Sequence, residues 1–119
     1  MFIDTDVLLD LIKNGRLETI RGSSISVISL LEVLRGIKDE KDRKIVKDAL
    51  EKLLKIVGID NEIILLYSTI YNSLKKKGKL IGDADLLIGA SVISRKDVLF
   101  TKNKKHFERL KKFGLILKE

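Results

Sequence analysis

Short apolar runs without polar alternation, separated by stretches of helical periodicity, constrain this chain more than any other feature. Phe2 to Thr5, Ser24 to Val27, Lys55 to Asp60, Asp97 to Thr101 and Gly114 to Leu117 read as strands. A strand that is apolar throughout must be buried on both faces, and strands of that kind alternating with helices belong in a parallel sheet covered on both sides. The predicted class is α/β, with a central parallel sheet of about five short strands flanked by helices. At 119 residues the chain is expected to form one domain over residues 1–119, with one core and one site.

The predicted helices follow from spacing and caps. Val7 to Lys13 is helical, with Gly15 as a left-handed stop. Ser29 opens a second helix to Gly36 with Leu30, Leu31 and Leu34 inward. Asp39 to Leu54 is amphipathic, carrying Ile45, Val46, Ala49, Leu50, Leu53 and Leu54 on one side. Asp60 caps a helix to about Lys77, Asp83 caps one to about Lys96, and Asn103 to Lys112 forms the last.

Composition then removes several chemistries. Cysteine is absent, which excludes disulfides and thiolate ligands or nucleophiles, and the single histidine, His106, excludes any mechanism built on a histidine pair. Carboxylate, amide, hydroxyl and lysine remain. No apolar run reaches the roughly 18 residues of a membrane span, and the opening Met1–Asp4 lacks the basic start of a secretion signal, so a cytoplasmic protein with no membrane contact is expected. The net charge of +7 favours a polyanionic partner, although lysine-rich, heat-adapted proteins are basic without one.

In open parallel sheets ligands gather beyond the carboxyl ends of the strands. Asp4 closes the first strand, Glu32 lies one helical turn past the second, Asp60 follows the third, and Asn103 follows VLFT. Asp83 and Asp85 instead start a helix, and periodicity does not place that start on the same rim. Each residue has an ordinary reading. Asp4 and Asp83 are natural helix caps, Asp85 is a favourable first-turn charge, and Ser29-x-x-Glu32 is a capping box. Convergence of three carboxylates would raise their pKa values through mutual repulsion unless a cation holds them. An all-oxygen set suits Mg2+ or Mn2+ better than zinc.

These residues resemble the PIN-domain family and, within it, VapC-type ribonuclease toxins, over nearly the whole chain. FIDTDVLLDLI resembles the opening strand with its first metal-binding Asp (Asp4), SVISLLEVLRG the motif with its Glu (Glu32), and DADLLIGASVI the motif with its second Asp (Asp85). FTKNKKHFERL resembles the fourth motif, where Asn103 stands at a position that is Asp or Asn. The resemblance implies that Asp4, Glu32, Asp85 and Asn103 form a catalytic set in which Asp4, Asp85 and Glu32 bind the metal. Asn103 departs from the acidic form and is expected to hold a water. Thr5 and Thr101 resemble hydroxyl positions that orient carboxylates, Asp83 is placed to assist a second metal, and Arg35 to pair with Glu32 or reach a phosphate.

The activity implied is Mg2+- or Mn2+-dependent hydrolysis of RNA phosphodiesters, with a small antitoxin as partner and a homodimer as the assembly. The lysines of 75–79 and the basic residues of 102–112 flank the third and fourth motifs and would contact phosphates without reading bases. Two other readings stand beside this one: a PIN-like module that binds RNA or a partner without cutting, and a phosphorelay receiver domain with Asp60 as phosphoacceptor and Thr101 as its switch hydroxyl.

Overall fold

The structure is a computed structural model and describes residues 1–119. Its elements are β1 (Phe2–Ile3), α1 (Thr5–Lys13), a 3-10 turn (Leu17–Ile20), β2 (Ser24–Ser26), α2 (Val27–Arg35), α3 (Glu40–Leu53) and β3 (Lys55–Val57). There follow α4 (Asn61–Lys76), α5 (Asp83–Ser94), β4 (Val98–Phe100), α6 (Lys104–Phe107), a 3-10 segment (Glu108–Phe113) and β5 (Ile116–Leu117). The five strands form one parallel sheet in the order β3-β2-β1-β4-β5, as the apolar runs predict.

Successive residues of β1 face opposite sides of the sheet, and the core divides accordingly. Phe2 joins Ile70, Leu74, Leu86, Ile88, Val92, Leu99, Phe107 and Leu110 on the face covered by α4, α5 and the carboxyl-terminal helical segment. Ile3 joins Val7, Leu8, Ile25, Leu30, Val33, Leu50 and Leu54 under α1, α2 and α3. Gly89 lets α5 approach the 3-10 segment: a Cβ there would lie 2.3 Å from Leu110 Cδ1.

Helix starts differ from the sequence reading in two places that matter. Helix α2 begins at Val27, capped by the Ser26 hydroxyl, which accepts from the Ile28 amide. Ser29 is therefore a buried residue inside the helix, and the Ser29–Glu32 capping box does not form. Helix α5 begins after Gly82 with no side-chain cap, so Asp83 does not cap it; its carboxylate accepts from the Tyr67 hydroxyl at 2.7 Å. Asp60 does cap α4, accepting from the Ile63 amide.

Several boundaries also tighten. The first and third strands end earlier than the apolar runs, and the last predicted helix splits into one α-turn and a 3-10 segment. Leu31 and Ile45, expected inward, are 57% and 65% exposed, because Val33 of α2 and Leu50 of α3 take the core positions. No helix is long and apolar enough to cross a membrane.

Candidate metal centre

The strand order reverses at β1, whose neighbours lead to opposite edges of the sheet, and a crevice at such a switch point is where open α/β sheets hold ligands. Asp4 stands at that point. Its amide donates to the Phe100 carbonyl of β4 at 2.9 Å, and its side chain is enclosed, with the residue 5% exposed. Oδ1 accepts from the Thr5 amide at 2.8 Å, and Oδ2 accepts from the Thr101 hydroxyl at 2.7 Å. Thr101 Oγ1 in turn accepts from the Asn103 amide at 3.0 Å. The backbone of Asn103 makes this link; its side chain caps nothing.

Thr5, first residue of α1, holds the second candidate carboxylate. Its hydroxyl lies 2.7 Å from Glu32 Oε1 and 3.0 Å from Ser29 Oγ, joining α1 to α2. Arg35 approaches the other Glu32 oxygen at 3.5 Å from the solvent side. The third carboxylate, Asp85 in the first turn of α5, has Oδ2 2.9 Å from His106 Nε2.

Electrostatics tie these groups together. Burial and the neighbouring carboxylates of Asp6 and Asp85 push Asp4 up to about 6, against the lowering pull of the Thr101 and Thr5 hydrogen bonds. Burial also raises Asp85, reinforced by Glu32 and Asp6 and opposed by His106. Asp4 thus lies within electrostatic reach of Asp6 and Asp85, and Asp85 within reach of Glu32 and Asp6, while Thr5 links the Asp4 segment to Glu32. Asp60 is elsewhere in its bonding: its carboxylate is occupied by the Ile63 amide and by Arg95 at 2.9 Å. Asp83 is bound to Tyr67.

Sequence reasoning missed Asp6 and His106 as members of the site. Asp6 Oδ2 accepts from the Lys102 amide at 3.2 Å, bracing α1 against the segment after β4, while Lys102 Nζ pairs with Asp10. Its position two residues after Asp4, at a strand-to-helix junction, was the available signal. His106 follows Asn103 by one helical turn, so its side chain turns back toward the same rim, where it meets Asp85.

No three acidic or histidine side chains stand close enough to chelate an ion as they are. Thr5 holds Glu32 by Oε1 and His106 holds Asp85 by Oδ2, so an ion entering here would draw the carboxylates inward or reach them through water. The donor chemistry nevertheless fits a hard dication: oxygen ligands, two of them raised in pKa by burial and by neighbouring carboxylates, in the form of unmet negative charge that a cation relieves. The chain's groove of about 340 Å³ is lined by Lys104, Glu108, Lys111 and residues 115–119 beside β5, not by these carboxylates. A bare cation needs no cavity of that size.

A family model described as PIN domain matches residues 1–113. The chain belongs to the PIN-domain family. Among curated relatives within this family it is 49% identical over 115 residues to Ribonuclease VapC1 of Methanocaldococcus jannaschii, covering 97% of this chain and 84% of that protein. It is 30% identical over 120 residues to Ribonuclease VapC1 of Haemophilus influenzae strain R2866, covering 91% of this chain and 90% of the other. PIN-domain structures agree: VapBC-1 of nontypeable Haemophilus influenzae superposes with a TM-score of 0.85 at 25% identity, over 99% of this chain and 96% of that one. DNA-bound VapBC of Salmonella typhimurium gives 0.83 at 25% identity, over 98% and 95%.

Proposed function

We propose that this PIN domain is a metal-dependent endoribonuclease, the toxin of a VapBC-type pair, with Asp4, Glu32 and Asp85 as its metal ligands. The observation that carries this reading is the buried Asp4 carboxylate, fixed by Thr101 at the switch point and electrostatically coupled to Asp85 and Asp6. The relatives named ribonucleases support the substrate class. Structures of VapBC complexes support a small antitoxin as partner, and the location proposed with this reading is the cytoplasm. Exposed Leu9, Leu31, Ile64 and Leu65 provide apolar surface for an antitoxin or a second copy.

When bound, Mg2+ or Mn2+ lowers the pKa of a coordinated water and neutralises charge on the phosphodiester. Asp4 supplies a ligand whose direction Thr101 and Thr5 set. Thr5 and Arg35 hold Glu32, and His106 orients Asp85. Asn103 would position a water, and Asp83 would assist a second ion only on leaving the Tyr67 hydroxyl that now holds it. Proton transfer through a histidine pair is not available to a chain with one histidine.

The test is cleavage of single-stranded RNA by purified protein with Mg2+, with Mn2+ and with chelator. Metal-dependent cleavage lost in Asp4→Asn and Asp85→Asn, with folding retained by circular dichroism, is expected. Metal-indifferent RNA binding without cleavage would instead leave a non-cutting binding module.

A further inference from the structure

Two segments leave the candidate metal centre side by side and are joined at two points. Residues 77–85 lead into α5, and residues 106–112 follow β4. At the centre His106 meets Asp85. One helical turn further, Arg109 Nη1 donates to the carbonyls of Lys79 and Leu80 at 3.0 and 3.1 Å. At the far end Lys112 comes within electrostatic reach of Lys77 and Lys79. From residue 106 to 112 the rise of a helical segment covers roughly 10 Å.

This track is basic and internally unneutralised. Arg109, Lys77, Lys79 and Lys112 take no part in the chain's salt bridges, all of which involve other cations. Glu108 and Lys111 face the groove beside β5, whereas Arg109 and Lys112, each one residue on, face the 77–80 segment. The Lys77 and Lys79 charges hold the Lys112 ammonium below the ordinary lysine range. Like charges are thus brought together by the backbone links of Arg109; Lys112 also sits 5.2 Å over the Phe113 ring, and no salt bridge of the chain neutralises the set.

We infer that Lys77, Lys79, Lys112 and Arg109 form a phosphate-gripping track that holds the RNA backbone a few nucleotides to one side of the metal centre, without regard to sequence. The inference rests on the ribonuclease reading above and adds the place where the strand lies. Ammonium groups grip phosphate as point charges and carry no base information, which separates this role from that of the carboxylates.

The experiment measures binding of a fluorescein-labelled single-stranded RNA by anisotropy, in chelator so that the strand stays intact, at several salt concentrations. Lys77→Ala/Lys112→Ala is compared with Lys44→Ala/Lys52→Ala on α3, which removes the same charge from exposed lysines elsewhere. The track variant is expected to bind about tenfold more weakly at 0.1 M salt, with its log–log salt slope reduced by about 1.4, the counterion release of two single-strand phosphate contacts. The control pair is expected to change by less than about twofold. Both variants should melt no lower than wild type, since the track variant loses a repulsion. Equal weakening in the two pairs, or none in either, overturns the track while leaving RNA as the substrate. Wild-type protein that binds no RNA at all overturns both.

Discussion

The hydroxyl of Thr101 donates to Asp4 Oδ2 at 2.7 Å across 97 residues of sequence, stitching the end of β4 to the end of β1. That one bond fixes the orientation of the most buried carboxylate in the site and also receives the Asn103 amide behind it. Replacing Thr101 with Val keeps the shape and strands two polar groups in a residue position that is 2% exposed. The expected loss is about 1–3 kcal/mol of stability, with the Asp4 carboxyl moved further up. Thermal unfolding and carbon-detected titration of Asp4 check it, and Thr101→Ser should restore both.

Asp4 also gives the metal-free protein a pH dependence of defined sign. Its folded pKa, about 6, lies above the unfolded value of 3.8, so the native state binds the proton more tightly. The resulting destabilisation is absent below about pH 4, grows through the interval to 6 and is complete above it, reaching about 3 kcal/mol at most. In chelator, Asp4→Asn should therefore be more stable than wild type at pH 7.5, and the difference should shrink toward zero near pH 4. Denaturant titrations of both proteins across that range measure it. A difference that grows on acidification would mean that the Asp4 carboxyl is stabilised as the anion.

His106 contacts Asp85 directly, and on the proposed reading it is a positioning residue for that carboxylate. His106→Ala should weaken Mn2+ binding by roughly tenfold or more, the usual effect of losing a partner that orients a ligand. Calorimetric titration with Mn2+ reads this independently of RNA cleavage. Unchanged affinity would make the contact incidental.

The Gly89–Leu110 approach makes a packing prediction free of any functional assumption. Gly89→Ala places a methyl 2.3 Å from Leu110 Cδ1, and Leu110 is fully buried, so it has little room to move. The expected destabilisation is about 1–3 kcal/mol. In the Gly89→Ala/Leu110→Ala double variant the two effects should fall short of additivity, since the truncated side chain no longer meets the new methyl. Denaturant midpoints of the four proteins close the cycle.

Apolar runs and caps carry most of the fold because parallel strands buried on both faces leave an unmistakable pattern, as in Phe2–Ile3 and Val98–Phe100. Residues whose roles depend on helix phase were harder to read. Ser29 and Glu32 fit a capping box in one dimension, yet Ser26 starts the helix a turn earlier, and the same two side chains face Thr5. The placement of Asp85 required the path of residues 77–82, which Ile81 anchors in the core and Arg109 clasps from outside. Neither contact has a local signature. His106 carries no local sign of its role for the same reason, since its partner Asp85 lies in another segment of the chain.

The central position of β1 sets an order of events during synthesis. Asp4 is translated long before β4 and Thr101, yet β1 needs β4 on its open side before its hydrogen bonding is complete. A nascent chain therefore carries an unfinished pocket until residue 101 has cleared the ribosome exit tunnel. Closure of the Asp4 pocket is therefore among the last steps of folding, because its wall arrives with the carboxyl-terminal part of the chain.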